Sequence, residues 1–119
     1  MSKNTVHVHI GEGIDDVAGR FLDGWNRVAR GEDVNEKHVS FATWETFVGV
    51  MTPKRLQLLR HVHREPARNI RVLAKALGRD YRRVHEDVEA LVAAGLLERD
   101  ADGLRAEYDA FRAETLVAL

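Results

Sequence analysis

Between Thr52 and Gly95 the chain carries helix start and stop signals so closely spaced that only three short helices fit there. Thr52-Pro53 opens the first: Thr can cap, and Pro at the first helical position gives up an N–H that would lack a partner anyway. Its apolar residues Leu56, Leu59 and Val62 face inward, and Glu65-Pro66 ends it, because the residue before proline is pushed out of the helical region. Asn69 caps a second helix with Ile70, Leu73, Ala74 and Leu77 on one face, and Gly78 closes it. Asp80 caps a third almost at once. Its core stripe is Val84, Val88, Leu91 and Val92, and it stops at Gly95. Leu96–Arg99 and Leu104–Tyr108 then flank Asp100-Ala101-Asp102-Gly103, a loop whose Gly suits positive φ, which predicts a β-hairpin. Three helices, a tight turn between the last two and a hairpin are the layout of a winged helix-turn-helix.

The residues before this core follow other periods. Thr5–Ile10 alternates with Val6, Val8 and Ile10 on one side, which predicts a half-buried strand ended by Gly11 and Gly13. From Ile14 the spacing changes to three and four, through Val17, Ala18, Phe21, Leu22, Trp25, Val28 and Ala29, the stripe of an amphipathic helix ending near Gly31. A polar turn from Gly31 to Lys37 leads to a short strand over His38–Phe41, able to pair with the first. Thr43 caps a short helix carrying Trp44, Phe47 and Val48. The tail from Arg112 to Leu119 is read as a closing strand. The expected fold is therefore α+β and mostly helical: an N-terminal strand-helix-strand extension over 1–42, a winged helix-turn-helix over 43–108 and a tail over 109–119. At 119 residues, 45% of them apolar, one domain with a real core is expected.

Charge shows where this chain acts. Ten of its eighteen Lys and Arg lie between Lys54 and Arg83, opposed there by Glu65 and Asp80, so ten cations against two carboxylates leave +8 inside a chain of net charge −1. Residues 1–53 hold five bases against eight acids, and residues 84–119 hold three against nine. A polyanion responds to such a local field and not to the chain average. With Val84 at 0° and about 100° per residue, Arg79, Arg82, Arg83 and Glu86 cluster opposite the core stripe of the third helix. This is the end a recognition helix presents to base edges, where Arg can pair with guanine O6 and N7. Lys54, Arg55, Arg68, Arg71 and Lys75 stand at or near the starts of the first two helices and are expected to reach phosphate oxygens. Tyr81, about 60° from the core direction, either packs at the rim or lays its hydroxyl against a phosphate. Arg99 and Arg105 flank the hairpin loop and are candidate wing contacts, weakened by Asp100 and Asp102 beside them.

Several functions find no support. With no cysteine, disulfides, thiolate metal sites and thiol redox switching are excluded. No apolar run approaches the roughly eighteen residues of a membrane span, and the N-terminus lacks the layout of a secretory signal, so a soluble cytoplasmic protein is expected. No nucleophile-base spacing and no Gly-rich phosphate loop is present, and Asp15-Asp16 in a first helical turn complement the helix dipole, so no catalysis is expected. His7 and His9 share a strand face and His38 on the neighbouring strand could join them at a metal. Without cysteines or a carboxylate at ligand spacing they are read as the wet face of a sheet, with no metal and no cofactor.

Met51–Arg60, Val72–Tyr81, Val84–Leu91 and Gly95-Leu96-Leu97-Glu98 resemble a family of small prokaryotic winged-helix predicted transcriptional regulators found in haloarchaea and bacteria. The resemblance spans about residues 41–108 and is most specific at Thr52-Pro53-Lys54-Arg55 and Gly78-Arg79-Asp80-Tyr81. It implies DNA-binding regulation; joined to the arginine-rich head of the third helix, it makes a sequence-specific double-stranded DNA-binding transcriptional regulator, a homodimeric repressor, the expected function. It also implies an alternative, an antitoxin that binds a toxin partner and represses its own operon. Phe21, Leu22, Trp25 and Val28 form an apolar stripe broader than a winged domain must absorb, and are the candidate interface of a homodimer.

Overall fold

The computed structural model describes residues 5–11, 14–31 and 36–115, with the backbone alone at 14–17 and 36. The side chains of the stripe positions Ile14 and Val17 and of the paired acids Asp15 and Asp16, together with the whole of Gly13, the turn residues 32–35 and the last four residues of the tail, lie outside that description. The chain is α+β and divides into two units, one of residues up to Phe47 and from Ala110 on, the other Val48–Asp109.

The first unit holds β1 (Thr5–Ile10), α1 (Ile14–Ala29), β2 (Glu36–Phe41), most of α2 (Trp44–Val50) and, at its far end in sequence, β5 (Ala110–Glu114). The sheet order is β2-β1-β5, all parallel, with His7 opposite His38 on one side and Arg112 on the other. Parallel neighbours need a crossover, and α1 supplies the one between β1 and β2. The strand pair expected from sequence is therefore a three-stranded sheet, and the closing strand begins at Ala110, before Arg112. Alternation along β1 buries Val6, Val8 and Ile10, with Val39 and Phe41 of β2 beside them. Phe41 meets Phe47 of α2 edge to face, ring centroids 5.4 Å apart. Thr43 caps α2, accepting from the Thr46 N–H at 3.1 Å.

In α1 the amphipathic stripe faces solvent. Arg20, Gly24 and Arg27 form its half-buried side, and the Arg20 guanidinium donates to Ser40 Oγ at 3.3 Å. Phe21, Leu22, Trp25 and Val28 are 71, 67 and 58–59% exposed in the order Phe, Trp, then the two aliphatics.

The second unit holds α3 (Pro53–Arg64), α4 (Ile70–Leu77), α5 (Tyr81–Ala93) and the hairpin β3 (Glu98–Asp100) and β4 (Gly103–Arg105). The three expected caps are in place: Thr52 accepts from Arg55 N–H, Asn69 from Val72 N–H and Asp80 from Arg83 N–H. Gly78, at φ +64°, closes α4 with its own N–H on Lys75 O and the Arg79 N–H on Ala74 O. Gly95, at φ +81°, closes α5 in the same way through Val92 O and Leu91 O. Both satisfy carbonyls that a helix end leaves orphaned. The core joins Leu58, Leu59 and Val62 to Ile70, Leu73 and Ala74, to Val84, Val88 and Leu91, and to Leu96, Leu97, Leu104 and Ala106. Leu58 takes the buried place expected of Leu56, which is half-buried, as are Leu77 and Val92.

The hairpin ladder is shorter than expected, with Glu98 opposite Arg105 and Asp100 opposite Gly103. Its fastening is longer-range. Ala67 and Leu104 exchange backbone bonds of 3.2 and 2.7 Å, so the wing is stitched to the segment between α3 and α4. Behind it, the His63 ring donates from Nδ1 to Ala106 O at 2.8 Å, and the Tyr108 hydroxyl donates to Leu96 O at 2.7 Å. Burial pushes the Tyr108 phenol up to about 12.

Candidate nucleic-acid interface

The head of α5 decides what the basic block can do. With Val84 fully buried, Arg82 and Arg83, about 200° and 100° around the helix from it, turn away from the core and are exposed, and Tyr81, about 60° away, is half exposed at the rim. Asp80 is occupied as their cap. Across from them the head of α3 brings Lys54, also exposed. Thr52, Lys54, Arg79, Asp80, Arg82, Arg83, Glu86 and Asp87 line one open cleft of about 560 Å³. No carboxylate of the described residues forms an ion pair with Lys54, Arg82 or Arg83, so their charge is turned to solvent. Glu86 is exposed in the same cleft and supplies an acceptor among these donors.

Two of the expected contacts are used elsewhere. Asp87 is 9% exposed, and a carboxylate at that depth needs partners for both oxygens. Arg55 donates from Nε to Oδ1 at 3.0 Å, and Arg79 donates from Nη2 to Oδ2 at 2.7 Å. Arg55 further donates from Nη1 to Gly49 O and Val50 O, at 3.1 and 3.0 Å, which finishes the last turn of α2. Arg55, expected at phosphate, and Arg79, expected at bases, are therefore internal ties. Arg79 does line the cleft with Arg82, but it precedes the cap of α5, where a helical projection no longer fixes direction, and its guanidinium turns to Asp87. Asp87 itself was missed, although it lies three residues after Val84, on the flank of the core stripe, where an acid must find a cation.

The wing is electrically closed. Arg105 is ringed by Asp100 at 2.5 Å, Glu107 at 3.2 Å and Glu98 at 3.5 Å, and Arg99 pairs with Glu89 at 3.1 Å. The Asp100 carboxyl is held below its ordinary range, first by the Asp102 backbone N–H and then by Arg105, whose own pKa Asp100 raises. Both wing arginines are thus committed to carboxylates of the same chain. Arg68 and Arg71 are exposed at the start of α4, whereas Lys75, expected near that start, is exposed in its last turn; all three lie outside the lining of the cleft. Tyr81 is about half exposed, its ring 5.9 Å from that of His85, at the rim.

A second cluster lies on the sheet. His7, His9 and His38 stack with centroids 5.0 Å apart from His38 to each of the others, and His9 Nε2 lies 2.8 Å from His38 Nδ1. That hydrogen bond occupies two of the nitrogens a metal would take. Among the described residues no group of three or more His, Asp or Glu is arranged to hold a metal ion. Desolvation, then Arg20, His38 and His7, lower the His9 pKa from 6.5.

Three helices and a hairpin resembling a wing, with Lys54, Arg82 and Arg83 exposed in an open cleft at the heads of α3 and α5, are the class that fold and site define. The chain belongs to the HVO_A0114 family, whose model matches residues 50–113. No curated protein and no solved structure matches it. None of the described helices is long and apolar enough to cross a membrane.

Proposed function

We propose that the protein is a sequence-specific regulator that binds double-stranded DNA, with no catalytic step, acting as a homodimeric repressor. One observation carries the reading: Lys54, Arg82 and Arg83 share an exposed cleft at two helix heads, and no carboxylate of the described residues forms an ion pair with them. Arg82, Arg83 and Glu86 read base edges, whereas Lys54, Arg68, Arg71 and Lys75 hold phosphates. Arg55, Arg79, Arg99 and Arg105 leave the contact set because each is spent on a carboxylate.

Selection from a random duplex pool, followed by titration of the selected site, tests this. If a dimer neutralises about six to ten phosphates, affinity falls about 10³ to 10⁵-fold between 50 and 200 mM salt. Arg82→Ala and Arg83→Ala reduce preference among sequences, and Arg71→Ala weakens every duplex about equally. Binding that ignores salt, or an unselective pool, removes the reading.

A second reading draws on the uncovered face of α1: a protein-interaction module of the antitoxin kind, with the face and the acidic residues after Arg83 holding a toxin partner. Purification from the native host separates the two, since a stoichiometric second polypeptide favours this one.

A further inference from the structure

We propose that Asp87 is the positioning residue of the cationic cleft, and that Arg55 and Arg79 act through it without touching DNA. The proposal rests on the DNA-binding reading above. Four places in the second unit meet at this one side chain. Arg55 brings the first turn of α3 and, through Gly49 O and Val50 O, the end of α2; Arg79 brings the turn between α4 and α5; Asp87 itself stands in the second turn of α5. The groups that face solvent lie next to these ties in sequence. Lys54 precedes Arg55, Glu86 precedes Asp87, and Arg82 and Arg83 follow Arg79 across the cap. The separation between Lys54 and the arginine pair is therefore set by the lengths of two ion pairs in a nearly closed space.

A buried ion pair is poor evidence for added stability, because desolvation offsets most of its attraction; its best-attested use is to fix register. That use fits here. Both carboxylate oxygens are taken, by guanidinium groups from α3 and from the turn before α5, and the side chains of Arg55 and Arg79 are each only 19% exposed. Asp87 also withholds two cations from any polyanion, which leaves electrostatic attraction to the exposed set. Loss of Asp87 then has two effects of opposite sign. Alignment with bases is lost, and two cations become available to phosphate.

The test uses the full chain, the duplex selected by wild-type protein and a scrambled duplex, with affinities measured by fluorescence anisotropy from 50 to 200 mM salt. Asp87→Asn is expected to bind the scrambled duplex more tightly, to lose about tenfold or more of the preference for the selected one, and to steepen the slope of log K against log salt by about 0.9 to 1.8. Arg79→Met, which keeps the Arg55 tie, serves if Asp87→Asn does not fold. It is expected to lose preference with an unchanged slope, and Arg79→Lys restores most of that preference. A slope shallower by about 0.9 in Arg79→Met, with equal loss on both duplexes, means that Arg79 touches phosphate and overturns the proposal. Preference unchanged in Arg79→Met overturns it while leaving the DNA reading intact. Wild-type protein that binds no duplex overturns both.

Discussion

Gly103 is the residue at which the wing tolerates least. It is buried and sits at φ +128°, a conformation that L side chains rarely adopt. A Cβ built there meets the Ala67 carbonyl oxygen well inside contact distance, with Arg68 Cα and O each at 3.1 Å. The crowding is a consequence of the Ala67–Leu104 bridge, which pulls β4 against the backbone leading into α4. Those neighbours are backbone and cannot swing aside. Gly103→Ala is expected to destabilise the protein by about 3 kcal/mol or more, from strain of about 1 to 3 kcal/mol and the clash added to it. Gly78, at φ +64° with nothing near its missing Cβ, sets the scale without a clash, and Gly78→Ala is expected to cost about 1 kcal/mol. Denaturant midpoints at constant m-value measure both, and equal costs contradict the steric account. The positive φ at Gly103 was legible in Asp100-Ala101-Asp102-Gly103. The approach of Ala67 was not, since it joins residues on separate elements.

The elements divide along the same line between local and distant causes. Thr52, Asn69, Asp80, Gly78 and Gly95 act within a few residues of themselves, and each caps the helix that the chain order predicts. Period-two spacing likewise placed β1 and its buried face. Two features escaped because nothing local encodes them: that β5 returns to pair with β1, and that Asp87 recruits Arg55 and Arg79. The uncovered stripe of α1 was legible in its breadth, which exceeds what one domain must absorb. The histidine stack shows what register adds, since only the pairing of His7 with His38 brings the three rings together. His9 is faced by His7 and His38 on the sheet and by Arg20 from α1, while the register sets Arg112 beside His7 and Glu114 beside His9 on β5. Its folded pKa lies below 6.5, so between the two values the unfolded chain binds more protons. The stabilisation is fully present above pH 6.5 and is lost as pH falls through the folded value. Amide exchange in β1 and β2, followed from pH 7.5 to 5 after correction for intrinsic rates, is expected to show falling protection below 6.5. Protection that stays level, or a His9 ring that titrates at or above 6.5 by NMR, contradicts this.

For the whole molecule the governing facts are polarity of charge and an apolar face without a cover. The +8 block keeps its exposed cations in the second unit, and the acids that balance the total lie before and after it in sequence. Copies of this chain therefore have no reason to associate through the block. The face of α1 is different: four large apolar side chains more than half exposed are costly in water. They present on the order of 500 Å² per chain, so a twofold pairing of the same face buries about 1,000 Å², the lower bound for a specific interface. A symmetric pairing also satisfies both copies at once and closes the assembly. Trp25→Asp places a charge at the centre of that face on a side chain that is mostly exposed, so the intrinsic stability of the monomer is expected to change by no more than about 0.5 kcal/mol. Light scattering is expected to show the mass falling from dimer to monomer. On a two-fold DNA site the monomer forfeits the avidity of linked binding, about 10² to 10⁴-fold, while affinity for an isolated half-site stays as it was. A Trp25→Asp protein that remains dimeric assigns the interface to another surface. A wild-type chain that is monomeric alone, yet takes up a second polypeptide through α1, moves the balance to the toxin-partner reading.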